Sequence, residues 1–337
     1  MKEAYLYDRS DSGAVKCRLC RHGCRIEEGK TGICSVRSNQ GGVLYSLVYD
    51  KLISANVDPI EKKPIFHMAP GSKSFSIATE GCNFQCSFCQ NYSISQSPRD
   101  SGTIRGNAAL PEQIVEAAVQ RGCRSISYTY TEPTIFFELA YDTMVQAKKR
   151  NLMNVFVTNG YMSRDALDMA KGLLDAANVD LKAFSDEFYL KRCKARLEGV
   201  LDTLRYMKEI GIFVEVTTLL IPSLNDHLGE IRELAAFIKK DLGPETPWHI
   251  SRFHPDFRET ELPPTAVEAL REAREVGIEE GLYYVYTGNA PGESGEKTHC
   301  PGCSSLLIDR VGYSIRRKRI VDGACFKCGR RVEGVEM

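Results

Sequence analysis

Through the central part of the chain, short apolar runs alternate with longer stretches whose apolar residues recur at helical spacing. The short runs are rich in β-branched and aromatic residues, which favour strands. In order, they are FSIAT, SISYT, NVFVT, ANVDL, FVEVTTL, WHISRF and YYVYT. Because apolar strands that alternate with amphipathic helices form parallel sheets covered by helices, this pattern predicts an α/β fold with a partial or full βα barrel.

Polar residues follow each of these runs, where the strands are predicted to end. They occur at 80–82, 130–133, 158–160, 180–182, 217–218, 252–254 and 287–289. Any one of them is also typical of an ordinary helix cap or turn. Because βα barrels build their active sites at the C-terminal ends of the strands, the whole set predicts a functional site there.

The composition excludes several classes of protein. Of the 337 residues, 43% are hydrophobic, and the 44 basic side chains balance the 44 acidic ones, which argues against nucleic acid or an anionic membrane as a partner. The polar start and the absence of an apolar run of about 18 residues predict a cytoplasmic protein without a membrane span. The thirteen cysteines are clustered, which favours metal ligation in a reducing compartment over a disulfide scaffold.

The central cysteine group is GCNFQCSFCQN, in which Cys82, Cys86 and Cys89 have the spacing C-x3-C-x2-C directly after the first predicted strand. Four thiolates normally hold a four-iron cluster, so three leave one iron without a protein ligand. A structural zinc ion that takes a distant fourth ligand is the alternative that the spacing leaves open.

This spacing, with an aromatic residue before the last cysteine, resembles the signature of the radical S-adenosylmethionine (SAM) superfamily. The resemblance implies a 4Fe–4S cluster whose open iron binds SAM, and reductive cleavage of SAM to a 5′-deoxyadenosyl radical that abstracts hydrogen from a substrate. It also implies an external electron donor such as a flavodoxin or a ferredoxin.

Further segments are similar to those of pyruvate formate-lyase activating enzymes. The resemblance implies that Phe88 lies near adenine, that Glu132 in YTYTEP pairs with the SAM ammonium group, and that Asn159 and the Asp180–Lys182 pair border the cosubstrate. Thr131 precedes Glu132 in the same motif, and His254 resembles a late histidine near the adenosine. Glu132 is also interpretable as an ordinary early-helix acid, and His254 as a structural histidine.

The resemblance is closer to one branch, the radical enzymes of the AmmeMemoRadiSam system. It is carried by CRLCRHGCRIEEGKTGICSVRSN, DPIEKKPIFHMAPG, VDLKAFSDEFY and YTGNAPGE, besides the segments above. It implies the reaction class and leaves the substrate open, as a small molecule or a partner protein such as a glycyl-radical enzyme.

Two further cysteine groups flank the predicted barrel. Cys300, Cys303, Cys325 and Cys328 form two C-x2-C pairs, which predicts a structural zinc ribbon. Cys17, Cys20, Cys24 and Cys34 suit zinc or an auxiliary iron–sulfur cluster; zinc is favoured because small metal modules stabilise short segments. We therefore predict an N-terminal metal module and lead-in over 1–70, a barrel over 71–292 and a zinc-ribbon-like module over 293–337.

Two functional hypotheses follow. The first is a radical SAM enzyme. The second is a metal-containing module that binds nucleic acid or protein, with an inert barrel. The polar residues at successive strand ends favour the first, because an inert barrel does not require them.

Overall fold

The chain begins with a small all-β region that precedes the barrel. A computed structural model describes residues 1–290 and 292–337. The N-terminal region contains seven short strands: β1 Lys2–Glu3, β2 Tyr7–Arg9, β3 Val15–Cys17, β4 Arg25–Ile26, β5 Arg37–Gln40, β6 Val43–Ser46 and β7 Lys51–Leu52. They form two three-stranded antiparallel sheets, β1-β6-β5 and β2-β3-β4, while β7 pairs outside them. Such short strands depend on turns and on packing against the barrel for stability.

The main body is an eight-stranded sheet with seven parallel strands. Its strands are β8 Ser54–Pro59, β9 Lys73–Ala78, β11 Ser125–Tyr128, β12 Met153–Thr158, β13 Ala176–Asp180, β14 Phe213–Leu220, β15 Trp248–Arg252 and β16 Val285–Gly288; β10 Asn107–Ala108 pairs with β7 in a loop. The order is β16-β15-β14-β13-β12-β11-β9-β8, and β8 runs antiparallel to β9. All seven predicted strands are present.

The predicted barrel is confirmed in its partial form. Strands β16 and β8 are the two edges of the sheet, and the pairing within the described residues does not join them. The parallel strands are mainly buried, with residues such as Ile126, Val155 and Ile250 in the core. This is expected of a parallel sheet that helices cover, since both faces of each strand are removed from water.

Helices connect the strands and cover the sheet. They are α1 Tyr92–Ser95, α2 Ser97–Ser101, α3 Pro111–Gln120, α4 Phe137–Lys149, α5 Arg164–Ala170, α6 Asp186–Phe188, α7 Leu197–Glu209, α8 Leu228–Phe237 and α9 Val267–Glu279. A 3₁₀ turn at Pro133–Phe136 precedes α4, and a π-helical turn at Tyr189–Cys193 follows α6. No helix among the described residues combines the length and the apolar character that crossing a bilayer requires.

A small C-terminal module spans the gap between the two edges of the sheet. Its strands are β17 Thr298–His299, β18 Leu306–Val311, β19 Ser314–Lys318, β20 Ile320–Val321 and β21 Ala324–Cys325. The Oγ1 atom of Thr298 hydrogen-bonds with Tyr286 of β16, while Arg310 donates to the Phe66 carbonyl, in the segment after β8, at 2.7 Å. The module therefore covers the side on which the barrel is open.

A buried polar network fixes the segment after β8. The Glu215 carboxylate accepts hydrogen bonds from the backbone N–H groups of Phe66 and His67, and it contacts His249 Nε2 at 2.6 Å. The His67 ring in turn hydrogen-bonds with the Tyr286 hydroxyl and the Glu333 carbonyl. Buried polar groups are tolerated when they are paired in this way, so the network ties the lead-in, the barrel and the module together.

Candidate active site

A cavity of about 440 Å³ opens at the C-terminal ends of the parallel strands. Its wall includes the triplet Cys82, Cys86 and Cys89. Other lining residues come from the ends of successive strands and from both flanking segments: Lys62, Lys63, Phe88, Thr131, Glu132, Asn159, Asp180, Lys182, Thr217, His249, Thr287, Glu296 and Tyr313. The polar positions that the sequence predicted at the strand ends thus largely share one cavity.

The triplet lies in the loop between β9 and α1, and hydrogen-bonding groups lie at two of its three sulfurs. The Phe84 N–H donates to Cys82 Sγ at 3.3 Å, and Ser95 Oγ lies 3.2 Å from Cys89 Sγ. Burial raises the pKa of Cys82 and of Cys89. A buried thiolate requires donors or a metal to offset its charge, so three thiols that face one cavity fit an iron–sulfur cluster with one open iron.

The buried thiol of Cys193 lies against the triplet. Hydrogen bonding with Cys193, together with burial, raises the pKa of Cys86 well above its usual range. The backbone also joins the two segments, since the N–H of Gln85 donates to the Cys193 carbonyl and that of Ser87 to the Arg192 carbonyl, both at 3.0 Å. No pattern in the sequence predicts this proximity, because Cys193 belongs to no spaced motif and follows the triplet by more than a hundred residues.

Glu132 lines the cavity and also organises the chain around it. Its Oε1 atom accepts hydrogen bonds from Thr158 Oγ1 and from both the backbone and the hydroxyl of Thr134 at 2.6–3.0 Å, which caps the 3₁₀ turn. Its Oε2 atom accepts from the Asn159 N–H at 2.7 Å. Burial raises the pKa of Glu132. The Glu132 carboxylate therefore caps the turn that leads into α4 and also lines the cavity.

Two predicted neighbours of Glu132 are positioned by nearby backbone and side-chain groups. Thr131 Oγ1 donates to the Thr79 carbonyl at 2.8 Å, which links the end of β11 to that of β9. Asn159 Nδ2 donates to Asn83 Oδ1 at 2.7 Å and lies 3.7 Å from Cys82 Sγ. The strand end that carries Asn159 is therefore held directly against the triplet loop.

Asp180 and Lys182 form an ion pair beside the triplet. Lys182 Nζ lies 2.9 Å from Asp180 Oδ2 and 5.9 Å from the centre of the Phe88 ring. Burial disfavours the lysine charge, but Asp180 and Cys86 outweigh that cost and raise the pKa of Lys182 above its usual range. The Phe88 ring packs against Phe188 with centroids 5.6 Å apart. This arrangement keeps a cation at the cavity wall.

His254 lies apart from the other predicted residues. Its side chain is exposed and is not part of the cavity wall, because it follows the end of β15 and belongs to the loop beyond. The histidine that lines the cavity is His249, within β15. His249 and Ser251 are two residues apart, so strand alternation directs both to the same side. This period-two pattern in WHISRF was the available signal for His249.

The two flanking cysteine sets differ in geometry. In the C-terminal module all four sulfurs lie within 4.8 Å of one another, and the pairs Cys300–Cys328 and Cys303–Cys325 are 3.6 and 3.7 Å apart. The N-terminal cysteines Cys17, Cys20, Cys24 and Cys34 instead line a separate cavity of about 20 Å³. Among the described residues, neither they nor the triplet include three ligand atoms that approach one another within 4.8 Å.

The chain is similar in sequence to known proteins. The sequence model of the radical SAM superfamily matches residues 76–238. An uncharacterised protein of Methanocaldococcus jannaschii is 45% identical over 99% of each chain. The pyruvate formate-lyase-activating enzyme of Clostridium pasteurianum is 23% identical over 48% of this chain and 67% of its own.

Solved structures add a similarity of fold. A radical SAM methyltransferase from Sphaerobacter thermophilus superposes with a TM-score of 0.51 at 17% identity, covering 65% of this chain and 67% of its own. At this identity the likeness concerns the architecture of the barrel alone.

Proposed function

Because the chain belongs to the radical SAM superfamily, we propose that Cys82, Cys86 and Cys89 bind a 4Fe–4S cluster whose fourth iron binds SAM. The observation that carries this proposal is the convergence of the three thiols on one cavity of about 440 Å³, with hydrogen-bonding partners at the sulfurs of Cys82 and Cys89. When bound, the cluster supplies one electron that cleaves SAM to methionine and a 5′-deoxyadenosyl radical, which abstracts hydrogen from the substrate.

The residues around the triplet hold the cosubstrate in this proposal. Phe88 offers its ring to the adenine, while Thr131 and Asn159 present polar groups at adjacent strand ends. The Lys182–Asp180 pair provides a fixed cation and a carboxylate at the same wall. Such preorganised groups position a charged ligand without reorganising when it binds. His254 is not included, because its side chain lies outside the cavity wall.

Glu132 has two roles in this proposal. Its Oε2 atom accepts one hydrogen bond, from Asn159, and a carboxylate oxygen has two lone pairs, so one acceptor remains for the SAM ammonium group. The same carboxylate holds Thr158 and Asn159 in place. We expect Glu132→Gln to weaken SAM binding by about one to two decades, since a charge-assisted hydrogen bond contributes about 1.5–3 kcal/mol.

A matched variant separates the two roles of Glu132. Thr134→Val removes one hydrogen bond to Oε1 and leaves Oε2 untouched. It should lower the free energy of unfolding by about 1 kcal/mol with unchanged SAM affinity. Equal loss of stability in both variants with unchanged SAM affinity in both would leave Glu132 with the capping role alone. Affinity is measured by calorimetry and stability by denaturant unfolding.

The remaining wall of the cavity is where we place the substrate. It combines Lys62 and Lys63 from the lead-in with Glu296 and Tyr313 from the C-terminal module. Lys63 is buried and donates to Asp58 at 2.6 Å. This chemistry suits a polar substrate, either a small molecule or a segment of a partner protein such as a glycyl-radical enzyme. An external flavodoxin or ferredoxin is the proposed electron donor, in the cytoplasm.

The chain is further proposed to belong to the AmmeMemoRadiSam branch and to carry one structural zinc ion at Cys300, Cys303, Cys325 and Cys328. The four sulfurs support zinc because they already approach tetrahedral spacing and leave no position for a reactant.

The central test is SAM cleavage by anaerobically reconstituted protein. Replacement of Cys82, Cys86 and Cys89 by Ala should abolish the formation of 5′-deoxyadenosine under a strong reductant, as measured by chromatography. Cys123→Ala is the matched control, because Cys123 is also buried but lies outside both cysteine-lined cavities. Undiminished 5′-deoxyadenosine in the triple variant would reject the assignment. No cleavage by the wild-type protein would favour an inert barrel.

A further inference from the structure

The N-terminal cysteines enclose a cavity that the proposed radical chemistry does not use. The thiols of Cys17, Cys20, Cys24 and Cys34 line it together with apolar side chains such as Leu19, Ile26 and Ile135. Its free volume is about 20 Å³. Four thiols around one enclosed space form a complete ligand set for a metal centre, so the question is which centre the space fits.

The spacing of the sulfurs distinguishes the two centres that the ligands allow. Zinc–sulfur bonds of about 2.3 Å place tetrahedral thiolates about 4 Å apart. The C-terminal sulfurs meet this condition, since all lie within 4.8 Å of one another. In the described chain, neither the N-terminal thiols nor the triplet form such a group. A cluster core of iron and sulfide lies between its thiolates and holds them farther apart than a single ion does.

Two buried hydrogen-bond donors that lack an acceptor belong to residues lining the N-terminal cavity. Arg37 Nε and Asn83 Nδ2 belong to nearly fully buried residues that line the cavity, and neither has a partner in the described part of the chain. The remaining guanidinium nitrogens of Arg37 donate to both oxygens of Glu138 at 2.7 Å. Buried donors without partners are costly, and hydrogen bonds to cluster sulfurs are a common way to satisfy them.

We infer that Cys17, Cys20, Cys24 and Cys34 bind a second iron–sulfur cluster, with Arg37 Nε and Asn83 Nδ2 as donors to its sulfurs. This differs from the zinc ion that the sequence favoured for this set. The inference rests on the proposed function in one respect. The triplet, which the proposed function assigns to a cluster, is the reference for thiols that lie too far apart to bind a single ion.

The second site is adjacent to the triplet. Asn83 lines the N-terminal cavity and directly follows Cys82, and its carbonyl lies 2.9 Å from His22 Nε2. The two backbones are also packed closely, because a Cβ atom on Gly81 would lie 3.4 Å from the Cys34 carbonyl and 2.8 Å from Val36. Two clusters held by loops in direct contact should interact magnetically when both are reduced.

The test is the iron and sulfide content of full-length protein reconstituted anaerobically with iron, sulfide and zinc. The variant with Ala at Cys82, Cys86 and Cys89 should retain about four iron and four sulfide atoms per chain, half of the wild-type content. Replacing Cys17, Cys20, Cys24 and Cys34 with Ala should remove the other half. Electron paramagnetic resonance of the reduced wild type should show broadening that both variants lack. Cys123→Ala should match the wild type.

The outcomes separate this inference from the proposed function. If the triplet variant binds no sulfide and one more zinc ion than the C-terminal module requires, the inference is wrong. If the triplet variant keeps all of the wild-type sulfide, the triplet assignment fails while the N-terminal cluster stands. Should the N-terminal variant not fold, the triplet variant still decides, because its N-terminal cysteines are intact.

Discussion

The two ends of the chain each contribute four cysteines, but they arrange them differently. At the C-terminal end the sulfurs converge within 4.8 Å, whereas at the N-terminal end they surround a cavity of about 20 Å³. The ligand sets are identical in chemistry and number. The comparison shows that two sets with the same number of thiols can differ in the distances between their sulfurs, which is the property that separates the two metal centres proposed above.

Local backbone geometry accounts for the difference. Each C-x2-C motif of the C-terminal module lies on its own tight turn. In the first the Ser304 N–H donates to the Cys300 carbonyl at 2.8 Å, and in the second the Gly329 N–H donates to the Cys325 carbonyl at 2.9 Å. The N-terminal cavity is completed by Asn83, Thr134 and Ile135 of the barrel region. The C-terminal site is thus contained within its module, while the N-terminal site is shared with the main body.

The largest expected effect concerns the C-terminal cysteine site, which is contained within its own module. Cys325→Ala should abolish binding of the proposed zinc ion and unfold the C-terminal module, because binding at a structural zinc site contributes on the order of 10 kcal/mol to folding. Iron content should remain at the wild-type value. Elemental analysis and limited proteolysis check this prediction: cleavage should concentrate after about residue 298. Full zinc content with a protected module would contradict the contrast between the two ends.

The second-largest expected effect concerns the N-terminal cysteine site, which the barrel region helps to form. Arg37→Leu should lower the free energy of unfolding by about 3–5 kcal/mol, because it leaves the buried Glu138 carboxylate without its bidentate partner. The double variant Arg37→Leu and Glu138→Leu is the control and should recover part of this loss. Zinc content should not change in either variant. Equal destabilisation by the single and double variants, measured by denaturant unfolding, would show that the ion pair is not the cause.

A third effect is a pH dependence at the interface of the C-terminal module. Burial lowers the pKa of His67 from 6.5 to about 4, so the folded state keeps the ring neutral while the unfolded chain binds a proton. Stability should therefore be full above pH 6.5 and fall by about 3 kcal/mol as the pH decreases to 4. His67→Gln keeps polar groups without titrating and should flatten this part of the profile. An unchanged slope in that variant would assign the loss to nearby carboxylates such as Glu215.

The smallest effect tests the connection between the N-terminal cavity and the triplet. His22→Phe removes the hydrogen bond to the Asn83 carbonyl and should cost about 1 kcal/mol of unfolding free energy. The electron paramagnetic resonance spectrum of the triplet cluster should change slightly, while the zinc of the C-terminal module is unaffected. A loss of zinc in this variant would mean that the two ends are coupled.

Most of the fold was predictable because its strands are buried on both faces. The seven apolar runs all became parallel strands, from β9 to β16. Strand β8 was missed because its sequence, SANVDP, is polar, and it pairs antiparallel at the edge of the sheet, where one side is exposed. Edge strands carry little hydrophobic signal, so only the tertiary structure reveals them.

The site was predictable where chemistry depends on sequence spacing and unpredictable where it depends on tertiary contacts. Asp180 and Lys182 are two residues apart, and they form the ion pair that their spacing permits. Cys193 and Cys86 meet only because a π-helical turn returns the chain to the triplet loop. His254 follows a strand end, and a sequence does not fix the direction in which the loop beyond continues.

The C-terminal module closes the gap between β16 and β8 with residues that follow the barrel in the chain. During synthesis the N-terminal cysteines and the triplet therefore leave the ribosome while that side of the barrel is still open. Segments of a nascent chain fold in the order in which they emerge. The order of the chain thus keeps that side of the barrel accessible until the C-terminal module has been synthesised.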